Sequence, residues 1–372
     1  MRVIIACAGT GGHINPGIAI AKIIEKEEPN SEFLFIGTKT GIENELVKKA
    51  GYRIEHIKTG KFYRTLTTKN VKSIIDILAG IKEAKGIIMK FKADVVIGTG
   101  GYICGPVMIA ARRLKIPYVL HESNAYPGIA VKLLTKKASK VLVGFEDTKK
   151  RLKSKSNVIY TGSPAKFNEA DMNKMDKNKC IEDLGISKYL KGRKIIFVTG
   201  GSQGAKKFNE TIIKIALEKK SDKFFIVLAT GMKNYDDVIS KILDEKEAKQ
   251  YIKVEKFVFD MDKMYKASDL LITRSGAMTI TELSISKKPA ILIPFPYATE
   301  NHQYYNAKAL EDIGAAKIII ENNLTDELLY KTINELIADN NKLSEMGENA
   351  GKLQKRDVEE VIYKEIKEAV KG

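Results

Sequence analysis

The sequence predicts an α/β protein made of two parallel-sheet domains in tandem, and three observations carry that expectation. Short apolar runs alternate with amphipathic helical stretches along the chain, the pattern of strands joined by crossover helices. Glycine-rich loops follow three of those runs, each where a strand meets the start of a helix. The length of 372 residues exceeds one ordinary domain and suits two.

In order, Arg2–Ala8 reads as a buried strand, followed by a glycine loop and a helix through Ile18–Glu27. Glu32–Ile36, Asp94–Gly98, Pro117–His121 and Lys140–Val143 continue the series as strands. A second cycle opens with Lys194–Thr199, which leads into Gly200-Gly201-Ser202-Gln203-Gly204-Ala205 and a helix. Lys223–Ala229, Ile252–Phe257, Asp269–Thr273 and Pro289–Ile293 follow as strands. The architecture is duplicated, without a short sequence repeat. Gly162 and Pro164 punctuate the pattern within Tyr160–Lys166, which sets a junction there. Residues 1–162 form the first domain and 163–356 the second. Residues 357–372 read as a charged amphipathic helix expected to pack back on the first domain.

Hydrophobic residues make up 44% of the chain, enough for two cores and too many for disorder. No window holds the ~18–20 consecutive apolar residues of a membrane span. The run Val3–Ala8 is too short for a signal peptide, so a soluble or peripheral protein retained in the cytoplasm is expected. Three cysteines (Cys7, Cys104, Cys180) are odd in number, widely spaced and free of any C-x-x-C pair. That excludes a fully paired disulfide framework and argues against structural zinc. Cys7, within an apolar strand, is expected to be a buried thiol. A formal charge of +17 admits nucleic acid, an anionic membrane surface or a polyanionic substrate, or reflects a lysine-rich composition. Without zinc-finger spacing, an RNP-type aromatic strand or a basic tail, nucleic acid is the partner set aside.

The three glycine loops are Gly9-Thr10-Gly11-Gly12-His13, Gly98-Thr99-Gly100-Gly101-Tyr102 and Gly200-Gly201-Ser202. Free N–H groups and the positive end of a helix dipole favour phosphate at such places, and a missing Cβ lets the backbone approach. A single loop of this kind is also the ordinary tight turn. Three at equivalent places point to a ligand. A dinucleotide fingerprint is absent, because its sixth position is Ile14, Ile103 or Ala205, and the second strand ends at Ile36-Gly37-Thr38 with no carboxylate.

Six segments taken together resemble one family: GTGGHINPGIA from Gly9, GTGGYICGP from Gly98, HESNAYPG from His121, GGSQGA from Gly200, RSGAMTITE from Arg274 and HQYYNA from His302. Their order and spacing are similar to those of the MurG family, which transfers GlcNAc from UDP-GlcNAc to undecaprenyl-diphospho-MurNAc-pentapeptide, making lipid II from lipid I. The resemblance spans nearly the whole chain. It implies the GT-B glycosyltransferase fold, two Rossmann-like parallel-sheet domains facing a cleft, with the donor in the C-terminal domain and the lipid acceptor in the N-terminal one. It also implies a peripheral enzyme on the cytoplasmic side of the cell membrane.

Carried residue by residue, the resemblance assigns Thr10, Gly11, Gly12 and Asn124 to the donor pocket from the first domain. Ser202 is assigned to the diphosphate, Val258 to the uracil edge and Gln303 to the sugar. Ala277, Met278, Thr279, Ile280, Thr281 and Glu282 are assigned to diphosphate and ribose, with Glu282 accepting from the ribose hydroxyls. The second loop, Gly100, Gly101 and Tyr102, is assigned to the acceptor diphosphate. Lys166 stands where the family has an arginine; it keeps the charge and loses the bidentate fork. Ser123 and Cys104 also depart from the family pattern, which has Gln and Ser there.

Inverting transfer needs a base for the acceptor hydroxyl and a counterweight to the departing UDP. Among four histidines, His13 on the first glycine loop is the favoured base, since an imidazole titrates near neutrality. Glu122 either orients His13 or is itself the base. His121 is structural or catalytic on the residues alone, His56 has no motif context, and His302 is assigned to donor contact. Asp260-Met261-Asp262 matches a D-x-D metal signature but precedes a helical stretch, where N-capping is the simpler role. The glycine loops and Arg274 imply electrostatic stabilisation with no required cofactor, although a divalent metal is compatible.

Between Lys69 and Lys92, Ile74, Ile77, Leu78, Ile81, Ile88 and Met89 share one helical face. Ile75, Ile87 and Phe91 lie off it among Lys72, Lys82, Lys85 and Lys90. A second apolar stripe rimmed by lysine suits an anionic inner-membrane surface, with Lys61-Phe62-Tyr63-Arg64 as an interfacial loop; two packed faces of a buried helix is the alternative. A UDP-GlcNAc 2-epimerase of related fold and a non-catalytic nucleotide-sugar sensor are the rival functions.

Overall fold

Short runs rich in Val and Ile, flanked by helices, become strands buried on both faces, as parallel sheets require. The computed structural model describes residues 1–60, 68–201, 205–243 and 247–371. Two compact units emerge, Met1–Lys166 together with Lys355–Gly372, and Phe167–Gln354.

The first unit runs β1 (Arg2–Cys7), α1 (Gly11–Glu27), β2 (Glu32–Gly37), α2 (Glu43–Lys49), β3 (Arg53–His56), α3 (Thr68–Phe91), β4 (Val95–Gly100), α4 (Cys104–Arg113), β5 (Tyr118–Glu122), α5 (Ile129–Leu134), β6 (Lys140–Val143) and β7 (Val158–Tyr160). Its sheet has the order β3-β2-β1-β4-β5-β6-β7, with parallel pairings throughout. The winding reverses between β1 and β4. The carboxyl ends of these two strands therefore flank the switch point at which open α/β sheets bind ligands.

The second unit contains α6 (Glu169–Lys174), α7 (Lys177–Asp183), α8 (Ser187–Leu190), β8 (Lys194–Thr199), α9 (Lys206–Lys214), β9 (Phe224–Ala229), α10 (Tyr235–Leu243), β10 (Ile252–Glu255), α11 (Met261–Ala267), β11 (Leu270–Thr273), α12 (Ala277–Ser286), β12 (Ala290–Leu292), α13 (His302–Glu311), β13 (Ala316–Ile318), α14 (Asp326–Ile337) and α15 (Asn340–Gly351). Its sheet order, β10-β9-β8-β11-β12-β13, reverses between β8 and β11.

The last helix, α16 (Val358–Lys371), belongs to the first unit. Ile362, Ile366 and Ala369 are buried in one cluster with Val3, Ile5, Ile20 and Ile24. Glu28, at the end of α1, accepts the Tyr363 hydroxyl at 2.8 Å and the Lys367 ammonium, and Lys140 donates to Glu365 at 2.7 Å and Glu368 at 2.9 Å. The units divide after Lys166 and after Gln354, where the sequence expectation had 162 and 356. The glycine and proline that punctuate the pattern lie inside the first unit: Gly162, Ser163 and Pro164 are buried, and Ser163 packs against Gly144.

Three strands escaped the sequence reading, and all three are edges: β3, β7 and β13. An edge strand has one neighbour and is part exposed, so it lacks a continuous apolar run. The facing of α3 is also corrected. Ile81, Ala84, Ile88 and Phe91 enter the core with Ile77 and Ile87 against them, whereas Ile74, Ile75, Leu78 and Met89 are exposed. The expected stripe mixed inward and outward positions, because isoleucine and leucine occupy both faces of this helix.

Candidate active site

In the first unit two glycine loops meet at the switch point. Thr10 is the N-cap of α1 in extended conformation, with its side chain making no capping bond. Its carbonyl accepts the His13 N–H at 2.9 Å, so Gly11, Gly12 and His13 form the first turn of α1. Thr99, buried near the end of β4, donates its hydroxyl to the His13 carbonyl at 2.7 Å. Gly100, at φ +125°, leaves room for the His13 imidazole, which fills the space a side chain there would need. The first and second loops are thus one structure, with the imidazole lying over Gly100. Gly101 continues the second loop, and the Tyr102 carbonyl accepts the Thr59 hydroxyl at 3.4 Å. Cys104 holds this loop from below, its Sγ lying 3.3 Å from the Gly100 N–H.

Glu122 ends β5 and is buried. Its carboxylate accepts Asn124 N–H at 3.0 Å, Asn124 Nδ2 at 2.9 Å and Gly128 N–H at 2.8 Å. Burial raises its pKa, and these three bonds hold it back. The carboxylate therefore organises the loop that carries Asn124. His121 is fully buried beside Ser123, and burial draws its pKa down to about 4. His56 sits on β3 against Asn44. Lys166 is exposed at the end of the first unit.

One residue at this edge escaped the sequence reading. A carboxylate does reach the end of the second strand: Glu43, from α2, bonds Thr38 there and also accepts the Gly9 N–H at 3.3 Å. The expectation of no acid at that strand end overlooked a group arriving from the following helix. The signal was present as Gly41-Ile42-Glu43, a small residue placed to admit a carboxylate turned inward. The Gly9 amide is consequently already bonded.

In the second unit, Glu282 is buried on α12, and its Oε2 accepts the Tyr265 hydroxyl at 3.0 Å. Ala277–Glu282 form the first half of α12, whose N-cap is Gly276 at the end of β11, directly at the switch point. Gln303, in the first turn of α13, accepts the Phe295 N–H at 3.0 Å through Oε1. His302 bonds the Thr299 carbonyl at 2.7 Å. Val258 is buried beyond β10, with β9 and β8 between that strand and β11. Ser202 and the loop Lys61–Arg64 lie outside the described residues. Arg274 is corrected. Its guanidinium is buried, donates to the Ile293 carbonyl at 3.1 Å and the Pro294 carbonyl at 3.3 Å, and pairs with Glu321, so it braces β11 against β12. Asp260 occupies the N-cap of α11 through its carbonyl, which accepts Met264 N–H at 3.1 Å, but its side chain makes no capping bond. Among the described residues, no three His, Cys, Asp or Glu side chains gather as a metal site, and no helix is long and apolar enough to cross a membrane.

On the outer surface of the first unit, Ile74, Ile75 and Leu78 of α3 and Ile129 and Leu133 of α5 are exposed, Leu133 to 78%. Lys82, Lys85, Lys136 and Lys137 are exposed on or beside the same helices. The contribution of α5 was not foreseen, since six residues are too few to show a stripe.

Models of the glycosyltransferase family 28 N-terminal and C-terminal domains match residues 3–143 and 195–362. The UDP-N-acetylglucosamine--N-acetylmuramyl-(pentapeptide) pyrophosphoryl-undecaprenol N-acetylglucosamine transferase of Acetivibrio thermocellus is 42% identical over 100% of this chain and 99% of its own. Among solved structures, Acinetobacter baumannii MurG is similar with a TM-score of 0.78 at 29% identity, covering 99% of both chains. The UDP-GlcNAc 2-epimerase of Neisseria meningitidis shares the fold at a TM-score of 0.65 and 15% identity, covering 99% of this chain and 100% of that one.

Proposed function

The chain belongs to the family 28 glycosyltransferases, in their MurG branch, and from that premise we infer how its residues divide the reaction. The protein is a UDP-GlcNAc-dependent N-acetylglucosaminyltransferase of peptidoglycan synthesis with the two-domain GT-B fold, converting lipid I to lipid II. The observation that carries this is identity of 42% with a named transferase from end to end, through both family 28 halves. The likeness to an epimerase, at 15%, is one of fold alone.

His13 is the general base. It takes the proton of the acceptor hydroxyl, whose oxygen forms a bond to the anomeric carbon as the bond from that carbon to the UDP oxygen breaks on the opposite face, inverting the centre. Its position over Gly100, at the strand ends where ligands collect, supports the assignment. Glu122 keeps the Asn124 loop in place, and its three bonds to that loop argue against a role as base. Gly100, Gly101 and Tyr102 receive the acceptor diphosphate, and Thr10, Gly11, Gly12 and Asn124 contribute to donor binding. In the second unit Ser202 and Ala277–Thr281 hold the UDP diphosphate, Glu282 the ribose, Val258 the uracil edge and Gln303 the sugar, and Lys166 of the first unit adds charge. Backbone N–H groups and helix dipoles offset the charge on departing UDP, so no divalent metal is required.

The protein binds peripherally to the cytoplasmic side of the membrane through α3 and α5. Exposed isoleucine and leucine side chains with neighbouring lysines support this, each basic residue near an anionic surface contributing about 1 kcal/mol. The test is release of UDP from UDP-GlcNAc with and without a lipid I analogue. Release that requires the analogue is expected; release without it, accompanied by ManNAc, would overturn the transferase assignment in favour of epimerisation.

A further inference from the structure

Glu43 is a buried acid that the reaction as described leaves unused. It is the first residue of α2 and has no solvent exposure. Its carboxylate lies across the ends of two strands: Oε1 accepts the Thr38 N–H at 2.9 Å and hydroxyl at 2.6 Å, and Oε2 accepts the Gly9 N–H at 3.3 Å. Gly41 makes this possible, since a Cβ there would overlap the carboxylate. Burial favours the neutral acid, but the bonds from Thr38 and Gly9 outweigh it and keep the pKa below the ordinary carboxylate value. A buried anion of this kind resists displacement, because each donor withdrawn leaves charge without a partner. Gly9, at φ +101°, is where the chain turns from β1 toward α1, and the next residue accepts the His13 N–H.

We propose that Glu43 is a positioning residue for the transfer reaction: by holding the Gly9 N–H it fixes the first glycine loop and, through Thr10, the place of the His13 ring over Gly100. This rests on His13 as the base. Full-length wild type, Glu43→Gln, Glu43→Asp and Thr38→Val are compared for kcat, KM for UDP-GlcNAc and folded fraction, with a lipid I analogue as acceptor. Both Glu43 variants should lose ~10- to 100-fold in kcat, the scale of a small misplacement of a reacting group. Their donor KM should move less than ~3-fold. Thr38→Val, which leaves the Gly9 bond in place, should hold kcat within ~3-fold while lowering the melting temperature. Unchanged kcat in the Glu43 variants, equal kcat loss in Thr38→Val, or loss that merely follows the folded fraction would overturn the role. Failure of both Glu43 variants to fold would do the same, making the carboxylate a stability element only. Wild type without lipid-dependent turnover would sink the transferase assignment and this role with it, a failure separable from the others.

Discussion

At the switch point of the first sheet the loops are held from within: Glu43 on Gly9, Thr99 on His13, Cys104 near Gly100, and Glu122 on Asn124 and Gly128. In the second sheet the loops beyond β10 and β12, away from the switch point between β8 and β11, are different. There Phe259 and Tyr297 stand 80% and 84% exposed, and Glu300 and Asn301, just before α13, both take left-handed φ angles, of 54° and 53°. Left-handed backbone at successive non-glycine residues is costly and collects at ligand-binding segments. Under the proposed assignment the two units divide the work. A pinned loop suits a base that must meet a hydroxyl within tenths of an ångström, and exposed aromatic side chains beside strained backbone suit contact with a ligand that enters and leaves.

That contrast is most exposed to removal of the imidazole. His13→Ala should lower kcat by ~10²-fold or more and leave UDP-GlcNAc affinity nearly unchanged by calorimetry. Loss of donor affinity instead would place His13 with the binding groups. In the second unit Glu282→Ala should weaken UDP-GlcNAc binding by on the order of 10-fold, through a lost charged hydrogen bond, with the smaller effect on kcat. Unchanged affinity would remove Glu282 from the ribose.

The outer surface of the first unit offers a third test. Leu78→Asp combined with Leu133→Asp should cut binding to anionic vesicles by ~10-fold and spare turnover of a short-chain, detergent-soluble acceptor. Equal binding by wild type and variant would move the membrane contact elsewhere. The smallest effect is expected at Glu28, whose carboxylate pKa is lowered to about 2 from 4.5, chiefly by the Lys367 hydrogen bond. The unfolded chain binds the proton more readily, so the stabilisation is complete above about pH 5 and is lost as pH falls toward 2. Glu28→Gln should cost about 1–2 kcal/mol at pH 7, read by thermal melting, with the difference from wild type closing in acid.

Central strands and glycine loops were legible in the sequence because each is a short local pattern. Lys140–Val143 and Lys194–Thr199 fall where expected, as apolar runs buried on both faces. His13 and Gly100 were each visible, but their contact was not, since it joins residues far apart in sequence across two neighbouring strands. Glu43 was missed because its meaning lies in Gly9, in the loop after another strand. Arg274 shows the converse: a cation in a motif looks available in one dimension, and only packing reveals that Glu321 and two carbonyls already occupy it.

The return of α16 to the first unit bears on how the protein is made. Phe167–Gln354 is continuous and can close on itself as it leaves the ribosome, whereas the first unit waits for a helix that follows the whole second unit. Until Ile362 and Ile366 arrive, the apolar patch around Ile5 and Ile24 lacks part of its cover, so a nascent chain stalled before α16 carries an aggregation-prone half beside a finished one.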